Sequence, residues 1–385
     1  MIHKIENSLN SDILELLTNQ GLDSISEVAR ILINTAMQLE REKYLNAASH
    51  ERTEDRKGYA NGYKPKTINT RMGQIEFAIP QTRDSQFYPN SLEKGLRSER
   101  ALKLSLAEMY LQGVSTRKVA KITEELCGFS VSSTQVSNAT KLLDEELQRW
   151  RERALGCFPY LILDARYEKV RHGGSVIDCA VLVAIGIDPS GYRQVLGVSV
   201  SLSEAEVHWR EFLKGLQQRG LHGIELITSD SHHGLKAALK TVFAGVKWQR
   251  CQFHLQQNAQ SYVPKQDMKS DVAEEIRKIF NCGDRTEANR LLSLAVAHYS
   301  KTAPKLSEWM ETNIPEGLTI FDFPEPHRKR MRTSNSLERV NKEIKRRTRV
   351  ATIFPNEASC LRLISAILLE ISEEWETGKA YLNMG

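Results

Sequence analysis

Asp164 interrupts the apolar run Tyr160-Leu161-Ile162-Leu163, a run that predicts a buried β-strand. A carboxylate inside such a strand is costly unless something pairs with it. A divalent cation such as Mg²⁺ is a suitable partner, because hard cations prefer oxygen ligands. Asp164 is therefore a candidate metal ligand. The alternative is a strand-end aspartate that accepts hydrogen bonds from backbone amides.

Two further carboxylates could share that site. Asp230 follows the apolar stretch 226–229 and precedes a predicted helix, so it could also be an ordinary N-cap. Glu338 lies in a basic predicted helix, where Asn335, Asn341 and Lys345 fall near the same face. Three carboxylates from separate elements could hold two divalent ions about 3.5–4 Å apart. Such a pair activates a water or a 3′-hydroxyl and stabilises the leaving oxygen in phosphodiester chemistry.

A C-x-x-H motif runs from Cys251 to His254. It is half of a tetrahedral zinc site, and the sequence offers no second half at suitable spacing. His232 and His233 could complete it, but they lie beside Asp230. We expect Cys251, His254 and His232 to support the candidate site, with zinc binding as the alternative.

The order of the predicted elements indicates how these residues could meet. Strands at 160–170, 176–188 and 195–202 precede a helix at 204–218, a strand at 224–228, a helix at 233–243 and a strand at 247–253. This is the order of a ribonuclease-H-like mixed five-stranded α/β sheet, in which the first and fourth strands are neighbours. We assign residues 157–255 to that core, 256–326 to an all-helical insertion and 327–385 to the rest of the core.

The preceding residues predict helical DNA-binding domains. Residues 1–55 form helices that either pack on their own domain or dimerise. Residues 56–96 hold a basic, aromatic loop with Tyr59 and Tyr63, which binds phosphates and bases or is a solvated turn, and then a hairpin turning near Met72-Gly73. Residues 97–150 form three helical pieces that fit a helix-turn-helix, the third capped by Ser132 or Ser133. Its candidate DNA contacts are Ser133, Thr134, Gln135 and Asn138.

Positive charge is concentrated in one stretch. The whole chain of 385 residues carries a net charge of +5, but residues 328–349 hold ten Lys and Arg against two acids. A local charge of +8 is typical of a nucleic-acid contact. The candidate backbone contacts there are Lys342, Lys345, Arg346, Arg347 and Arg349. Arg166 and Lys169, beside Asp164, are further candidates, and Ser334 or Asn335 is the predicted N-cap of the basic helix.

Composition excludes several classes of protein. The 41% hydrophobic and 26% charged residues are typical of a soluble globular chain of two to four domains. The first residues lack the apolar core of a signal peptide, and the longest apolar run, 179–187, is too short to span a bilayer. Six scattered cysteines without a C-x-x-C suit the reducing cytoplasm. We therefore expect a cytoplasmic protein that makes no use of a membrane.

The chain resembles the mutator-type family of bacterial insertion-sequence transposases, which belong to the DDE class. The resemblance runs from about residue 51 to residue 382. It is carried by GYANGYKPK (58–66), GVSTRKV (113–119), LDARYEKVRHGG (163–174), VSLSEAEVHWREFL (200–213), SDSHHGLKAA (229–238), WQRCQFHLQQNAQ (248–260) and NSLERVNKEIKRRTRVATIFPNEASCLRL (335–363). So long and ordered a match is highly specific.

The resemblance implies DNA cleavage and strand transfer at the element's terminal inverted repeats. Asp164, Asp230 and Glu338 match the family's catalytic triad, with Mg²⁺ as cofactor and Mn²⁺ as substitute. Ser231 is a mild departure from the family pattern, and Cys251 and His254 match its C/H signature. The implied partners are double-stranded DNA, as element end and as target, and further copies of the chain in a homodimer or higher oligomer on DNA.

Two other classes of function fit parts of the pattern. A non-catalytic regulator would bind inverted repeats without cutting them. A structure-selective nuclease or junction resolvase on the same fold would cut junctions regardless of end sequence and would not transfer strands.

Overall fold

The computed structural model describes residues 2–84 and 86–384, and for residues 2–10 it describes the backbone alone. By its internal contacts the chain divides into two units, Met1–Leu142 and Leu143–Gly385. Short 3₁₀ helices connect several of the elements: Gly21–Ser24, Thr140–Leu143, Gln260–Tyr262, Ile314–Gly317 and Thr319–Asp322.

Helices and one hairpin make up the first unit. Its elements are α1 (Ile2–Gln20), α2 (Ile25–Leu45), β1 (Ala60–Thr70), β2 (Gly73–Thr82), α3 (Arg100–Leu111), α4 (Thr116–Cys127) and α5 (Ser133–Ala139). Helix α2 packs on the hairpin because alternate residues of the strands are apolar. The buried cluster between them consists of Met37, Ile68, Ile75, Phe77, Ile79 and Leu92.

The predicted hairpin is confirmed. Thr70 pairs with Gly73 across the turn, and Gly73 has a φ of +110°, which favours glycine. Strand β1 begins at Ala60, so the predicted loop is largely extended structure. Tyr59 and Tyr63 are exposed on it, and the Arg41 guanidinium stacks on the Tyr63 ring at 4.7 Å.

Glycine and serine delimit the three following helices. Gly128, with a φ of +69°, ends α4. The cap of α5 is Ser132, whose hydroxyl accepts from the Gln135 amide (3.1 Å) while the Gln135 side chain accepts from the Ser132 amide (2.7 Å). The third predicted helical piece is broken, since α5 ends at Ala139 and the next α-helix begins at Asp144.

A mixed α/β arrangement forms the second unit. Its elements are α6 (Asp144–Glu152), β3 (Tyr160–His172), β4 (Ser175–Ile187), β5 (Arg193–Ser201), α7 (Glu206–Gln218), β6 (Leu226–Ser229), α8 (His233–Val242), β7 (Lys247–Arg250), α9 (Gln252–Ala259), α10 (Met268–Asn281), α11 (Arg285–Thr302), α12 (Pro304–Asn313), α13 (Glu325–Met331), α14 (Asn335–Thr348) and α15 (Glu357–Thr377).

The five strands of this unit lie in the order β5-β4-β3-β6-β7. Strand β4 is antiparallel to β3 and β5, whereas β6 runs parallel to β3 and β7 parallel to β6. The prediction that the first and fourth strands are neighbours in the sheet is therefore confirmed. The last predicted strand is shorter than expected, because the chain turns into α9 after Cys251.

Different helices pack on the two faces of the sheet. Odd-numbered residues of β3, including Leu161 and Leu163, face an apolar cluster that α7 and α8 supply through Trp209, Leu213 and Leu235. Even-numbered residues of a strand point to the opposite face. On that face α14 lies against β3, as the contacts of Asp164 below show.

In the described part of the chain, no helix is long and apolar enough to cross a membrane.

Candidate active site

Parallel pairing places Asp164 and Asp230 at matching positions. Ile162 of β3 pairs with Thr228 of β6, and each aspartate lies two residues further along its chain. The two carboxylates therefore lie side by side, Asp164 within β3 and Asp230 directly after the neighbouring strand β6, as the sequence predicts. Their charges interact, since the Asp230 carboxylate acts to raise the pKa of Asp164.

Asp164 accepts two hydrogen bonds in its buried setting. Its Oδ1 accepts from the Ala165 amide (2.9 Å) and its Oδ2 from Asn341 Nδ2 on α14 (2.8 Å). Burial nevertheless raises the pKa of Asp164 to about 6, with the Ala165 hydrogen bond and His254 acting against the shift. The positive charge near the Asp164 carboxylate is thus too small to offset the cost of its burial.

Asp230 is more open than Asp164. Its Oδ1 accepts from the Ser231 amide (2.7 Å), and its Oδ2 lies 4.0 Å from Nδ1 of His254. Interaction with the Cys251 thiol raises the pKa of His254 to about 9, helped by the charges of Asp230 and Asp164. The positive charge of the His254 imidazolium therefore partly offsets the charge of Asp230 and, to a smaller extent, that of Asp164.

Glu338 lies in the first turn of α14, one turn before Asn341. Its Oε1 is buried and has no hydrogen-bond partner among the described residues, and the same holds for Oδ1 of Asn341. Buried oxygens without partners are uncommon and require an explanation. Here both lie on the helix that contacts Asp164.

Alternate residues of β3 fix α14 on the sheet. Asp164 bonds Asn341, the Arg166 guanidinium donates to the Asn341 carbonyl, and Glu168 accepts from the Thr348 hydroxyl (3.1 Å). Arg166 also pairs with Glu168 at 2.6 Å and its side chain is only 14% exposed. Arg166 therefore joins β3 to α14, and its predicted role as a DNA contact does not fit this position. Lys169 is exposed and pairs with Asp178 at 3.4 Å.

The C-x-x-H motif holds the loop that leads into α14. Cys251 is fully buried, and its Sγ accepts from both the amide and the hydroxyl of Ser334 (3.4 Å each). Burial acts to raise the pKa of the Cys251 thiol, but hydrogen bonds with His254 and Ser334 outweigh it and the pKa is lowered. Ser334 occupies the N-cap position of α14 without capping it, because its hydroxyl is bound to Cys251.

The zinc alternative finds no further ligand. Nδ1 of His232 lies 3.6 Å from the Glu204 carboxylate, and His232 is the N-cap residue of α8. Among the described residues, no three His, Cys, Asp or Glu side chains are arranged to hold a metal ion, and this includes Asp164, Asp230 and Glu338 as the structure places them. The donor chemistry of these three residues nevertheless suits a hard cation, because all three offer carboxylate oxygens.

The predicted DNA contacts on α14 differ in exposure. Four of the five are exposed: Lys342, Lys345, Arg346 and Arg349. The fifth, Arg347, is buried and donates to Glu343 (2.7 Å) and Glu370 (2.5 and 2.9 Å). Its predicted contact with DNA is therefore wrong for this structure, since its guanidinium joins α14 to α15.

The predicted contacts on α5 are exposed. Ser133, Thr134, Gln135 and Asn138 all reach solvent. Gln135 also lines a groove of about 740 Å³ whose lining includes Lys64, Lys66, Lys94 and Arg97 and no acidic residue. The hairpin and α5 thus share one basic surface within the first unit.

Two residues of the site escape sequence reasoning. Glu204 is largely buried near Asp164 and acts to raise its pKa. The sequence predicts Ser334 only as a cap and Glu204 only as the first residue of a helix, whereas Glu204 precedes α7 in the structure. The partner of Ser334 lies 83 residues away. No local signal could have identified either contact.

Fold and site together define an α/β protein with a carboxylate-rich centre and basic helices. A sequence model of the transposases of the Mutator family matches residues 3–378, so the chain belongs to this family. It is 57% identical over 379 residues to the transposase for insertion sequence element IS406 of Burkholderia multivorans, covering 98% of this chain and 97% of that one.

Two further relatives extend the comparison. The chain is 44% identical to the transposase for ISRM5 of Rhizobium meliloti, covering 96% of this chain and 92% of that one. It is 36% identical to the transposase for IS256 in transposon Tn4001 of Staphylococcus aureus, with 97% of both chains covered. The predicted family is confirmed.

Proposed function

We propose that this transposase cleaves DNA at the terminal inverted repeats of an insertion sequence and joins the freed end to target DNA, on a ribonuclease-H-like core. One observation carries the proposal. Asp164 and Asp230 lie at matching positions beyond the Ile162–Thr228 pair, and Asn341, one turn from Glu338, is bonded to Asp164. The two aspartates are thus neighbours on the sheet, and the helix that carries Glu338 contacts one of them, which supports the assignment of the three carboxylates to one centre.

Asp164, Asp230 and Glu338 would hold Mg²⁺, with Mn²⁺ as a substitute. Two observations support this assignment: Oε1 of Glu338 is buried without a hydrogen-bond partner among the described residues, and burial raises the pKa of Asp164 in spite of the opposing charge of His254. When bound, two such ions activate the attacking oxygen and stabilise the leaving oxygen of a phosphodiester. Asn341 orients the Asp164 carboxylate, and the His254 imidazolium offsets the charge of Asp230.

The reaction would proceed in two displacements. In the first, water attacks a phosphodiester at the element end, the P–O bond to the 3′ oxygen breaks and a 3′-hydroxyl is released. In the second, that hydroxyl attacks a target phosphodiester, so one P–O bond forms as another breaks. No covalent bond forms between a carboxylate and the DNA in either step.

DNA would be held by the exposed cations of α14 and by the first unit. Lys342, Lys345, Arg346 and Arg349 present donors to phosphates, which are contacted without regard to sequence. Ser133, Gln135 and Asn138 on α5 would read bases, and the basic groove around Gln135 supports that assignment. The same proposal includes a homodimer or higher oligomer of the chain, formed on a pair of element ends.

A cleavage assay tests the proposal. A labelled duplex that carries the terminal repeat is incubated with purified protein and Mg²⁺ or Mn²⁺. We expect cleavage at the repeat end by the wild type and none by Asp164→Ala, Asp230→Ala or Glu338→Ala, all of which still bind the duplex. Binding without cleavage by the wild type would instead support a regulator. Cutting of four-way junctions regardless of end sequence, without strand transfer, would support a resolvase.

A further inference from the structure

Residues 380–384, which follow α15 and are here called the strap, return to the edge of the sheet. The amides of Tyr381 and Leu382 both donate to the carbonyl of Gly191 (2.8 and 3.1 Å), in the turn between β4 and β5. Gly191 has a φ of +85°, and a Cβ on it would lie 2.0 Å from the Leu382 carbonyl oxygen. The strap therefore lies directly on the backbone of this turn.

Tyr381 of the strap contacts the helix that carries Glu338. Its hydroxyl accepts a hydrogen bond from Ser336 Oγ (3.0 Å) and lies 3.4 Å from the Arg330 carbonyl. Ser336 is buried in the first turn of α14, two residues before Glu338. The Tyr381 ring faces the guanidiniums of Arg193 (4.3 Å) and Arg330 (4.9 Å), which fix its position.

A second contact joins the strap to the strand that carries Asp164. His327 Nε2 donates to the Asn383 carbonyl (2.7 Å), and its Nδ1 bonds the Tyr160 hydroxyl (2.7 Å). Because a carbonyl oxygen only accepts, Nε2 carries the proton, and in the neutral ring Nδ1 accepts from Tyr160. Tyr160 is the first residue of β3, four residues before Asp164.

We propose that Tyr381 is a positioning residue, through which the strap holds the first turn of α14, and with it Glu338, at a fixed place relative to Asp164. The opposite side of this turn is already held by Cys251 through Ser334. The Tyr381 hydroxyl thus holds the same turn through a second contact, its hydrogen bond with Ser336. Under the proposed function, the glutamate of this turn must lie close to the carboxylates of the sheet. The inference rests on the proposed function, because Tyr381 acts through Glu338.

Tyr381→Phe tests the proposal, since it removes only the hydroxyl and keeps the ring between its two arginines. We expect kcat for cleavage at saturating DNA to fall roughly fivefold, the effect of one lost hydrogen bond. The Mg²⁺ concentration for half-maximal rate should rise, while the Kd for DNA and the Tm stay unchanged. Ser336→Ala should give the same loss, and the double variant should be no worse than either single one.

Tyr262→Phe is the matched control. Tyr262 is an exposed tyrosine stacked on Trp309 in the helical insertion, and its hydroxyl deletion should leave every readout at the wild-type value. A wild-type rate for Tyr381→Phe would overturn the proposal. So would a loss that adds in full to that of Ser336→Ala, because two deletions of one hydrogen bond cannot add.

Hydrogen exchange separates this proposal from the proposed function. The amides of Leu337 and Glu338 both bond the Ser334 carbonyl (2.8 and 3.1 Å) and report on the first turn of α14. In Tyr381→Phe they should exchange several-fold faster than in the wild type or in Tyr262→Phe. Unchanged exchange would overturn the role of the strap even in an active enzyme. A wild type that never cleaves would refute the proposed function, while exchange would still decide the role of the strap.

Discussion

Asp164 combines a partly buried position with a negative charge that two hydrogen bonds only partly stabilise. Burial raises its pKa to about 6, so in the absence of a cation the folded chain is destabilised above that pH. The unfolded carboxyl has its usual pKa of about 3.8. The penalty therefore grows as pH rises from about 4 to about 6 and is fully present above that range.

Asp164→Asn should raise the Tm at pH 8 in EDTA, because it removes the buried charge. Asn341 can rotate its amide so that its unpartnered Oδ1 accepts from the new side chain. The gain should shrink as pH falls from 6 to 4 and vanish below about 4, where Asp164 is protonated in both the folded and the unfolded state. Thermal melts across this pH range measure it.

Asp178→Asn is the control for that experiment, because Asp178 is exposed and pairs with the equally exposed Lys169. Its Tm should follow the wild type at every pH. Equal Tm values of Asp164→Asn and the wild type at pH 8 would show that the protein already compensates the Asp164 charge without a metal ion.

Lys345 and Arg347 of α14 should respond differently to removal of their charge. Lys345 is exposed, so Lys345→Ala should reduce the slope of log K against log salt for DNA binding by about one. Arg347→Met should leave that slope unchanged and lower the free energy of unfolding by about 2–3 kcal/mol, because it leaves Glu343 and Glu370 without their shared guanidinium. Salt titrations of binding and urea unfolding measure the two effects. A smaller salt slope of DNA binding for Arg347→Met would show that Arg347 contacts DNA after all.

The start of α14 is fixed by contacts with distant elements. Thr228 at the end of β6 donates to the Met331 carbonyl (2.7 Å), the Gln252 amide donates to the Arg332 carbonyl (3.0 Å), and Cys251 accepts from Ser334. The C-x-x-H motif therefore lies between the strand ends and the helix of Glu338. Its position explains a supporting role without any metal.

Cys251→Ser should lower the free energy of unfolding by about 1–2 kcal/mol, because a hydroxyl with shorter bonds replaces a fully buried thiol that accepts two hydrogen bonds. Urea unfolding measures the loss, with Cys282→Ser, at a partly exposed cysteine, as control. Metal analysis of the purified wild type should find no stoichiometric zinc. One zinc per chain that disappears in Cys251→Ser would contradict this view.

The elements were largely predictable, whereas several contacts between them were not. Apolar runs with β-branched residues identified β3, β4 and β6, and the predicted serine cap identified the start of α5, whereas the end of α5 at Ala139 was not predicted. Charge alone suggested that Arg347 faces DNA, but a helix of 14 residues has several faces, and the one that α15 covers depends on tertiary packing. The Cys251–Ser334 contact was equally hidden, because its residues lie on elements far apart in the chain.

The whole molecule divides the proposed tasks between its two units. Residues of the first unit would recognise the element end, and the carboxylates of the second would cut it. The net charge of +5 is small because acidic residues elsewhere offset the basic stretch at 328–349. Non-specific binding should therefore depend on this stretch more than on the whole chain.

Asn138→Ala should reduce the preference for end DNA over random DNA, because Asn138 is an exposed amide on α5. The expected loss is about 1–3 kcal/mol of discrimination, with binding to random DNA unchanged. Competition binding measures it, and Gln148→Ala, an exposed amide on α6, is the control. An unaltered preference in Asn138→Ala would remove this residue from the recognition surface.

The most direct test of the central claim is a change of metal preference. Asp164→Cys, Asp230→Cys and Glu338→Cys each replace a proposed oxygen ligand by sulfur, which Mg²⁺ binds poorly and the softer Mn²⁺ accepts more readily. Strand transfer of a labelled end into a plasmid is measured in each metal. We predict that the cysteine variants are inactive in Mg²⁺ and regain measurable activity in Mn²⁺, while the wild type works in both. Full activity of these variants in Mg²⁺ would contradict the assignment of the three carboxylates as metal ligands.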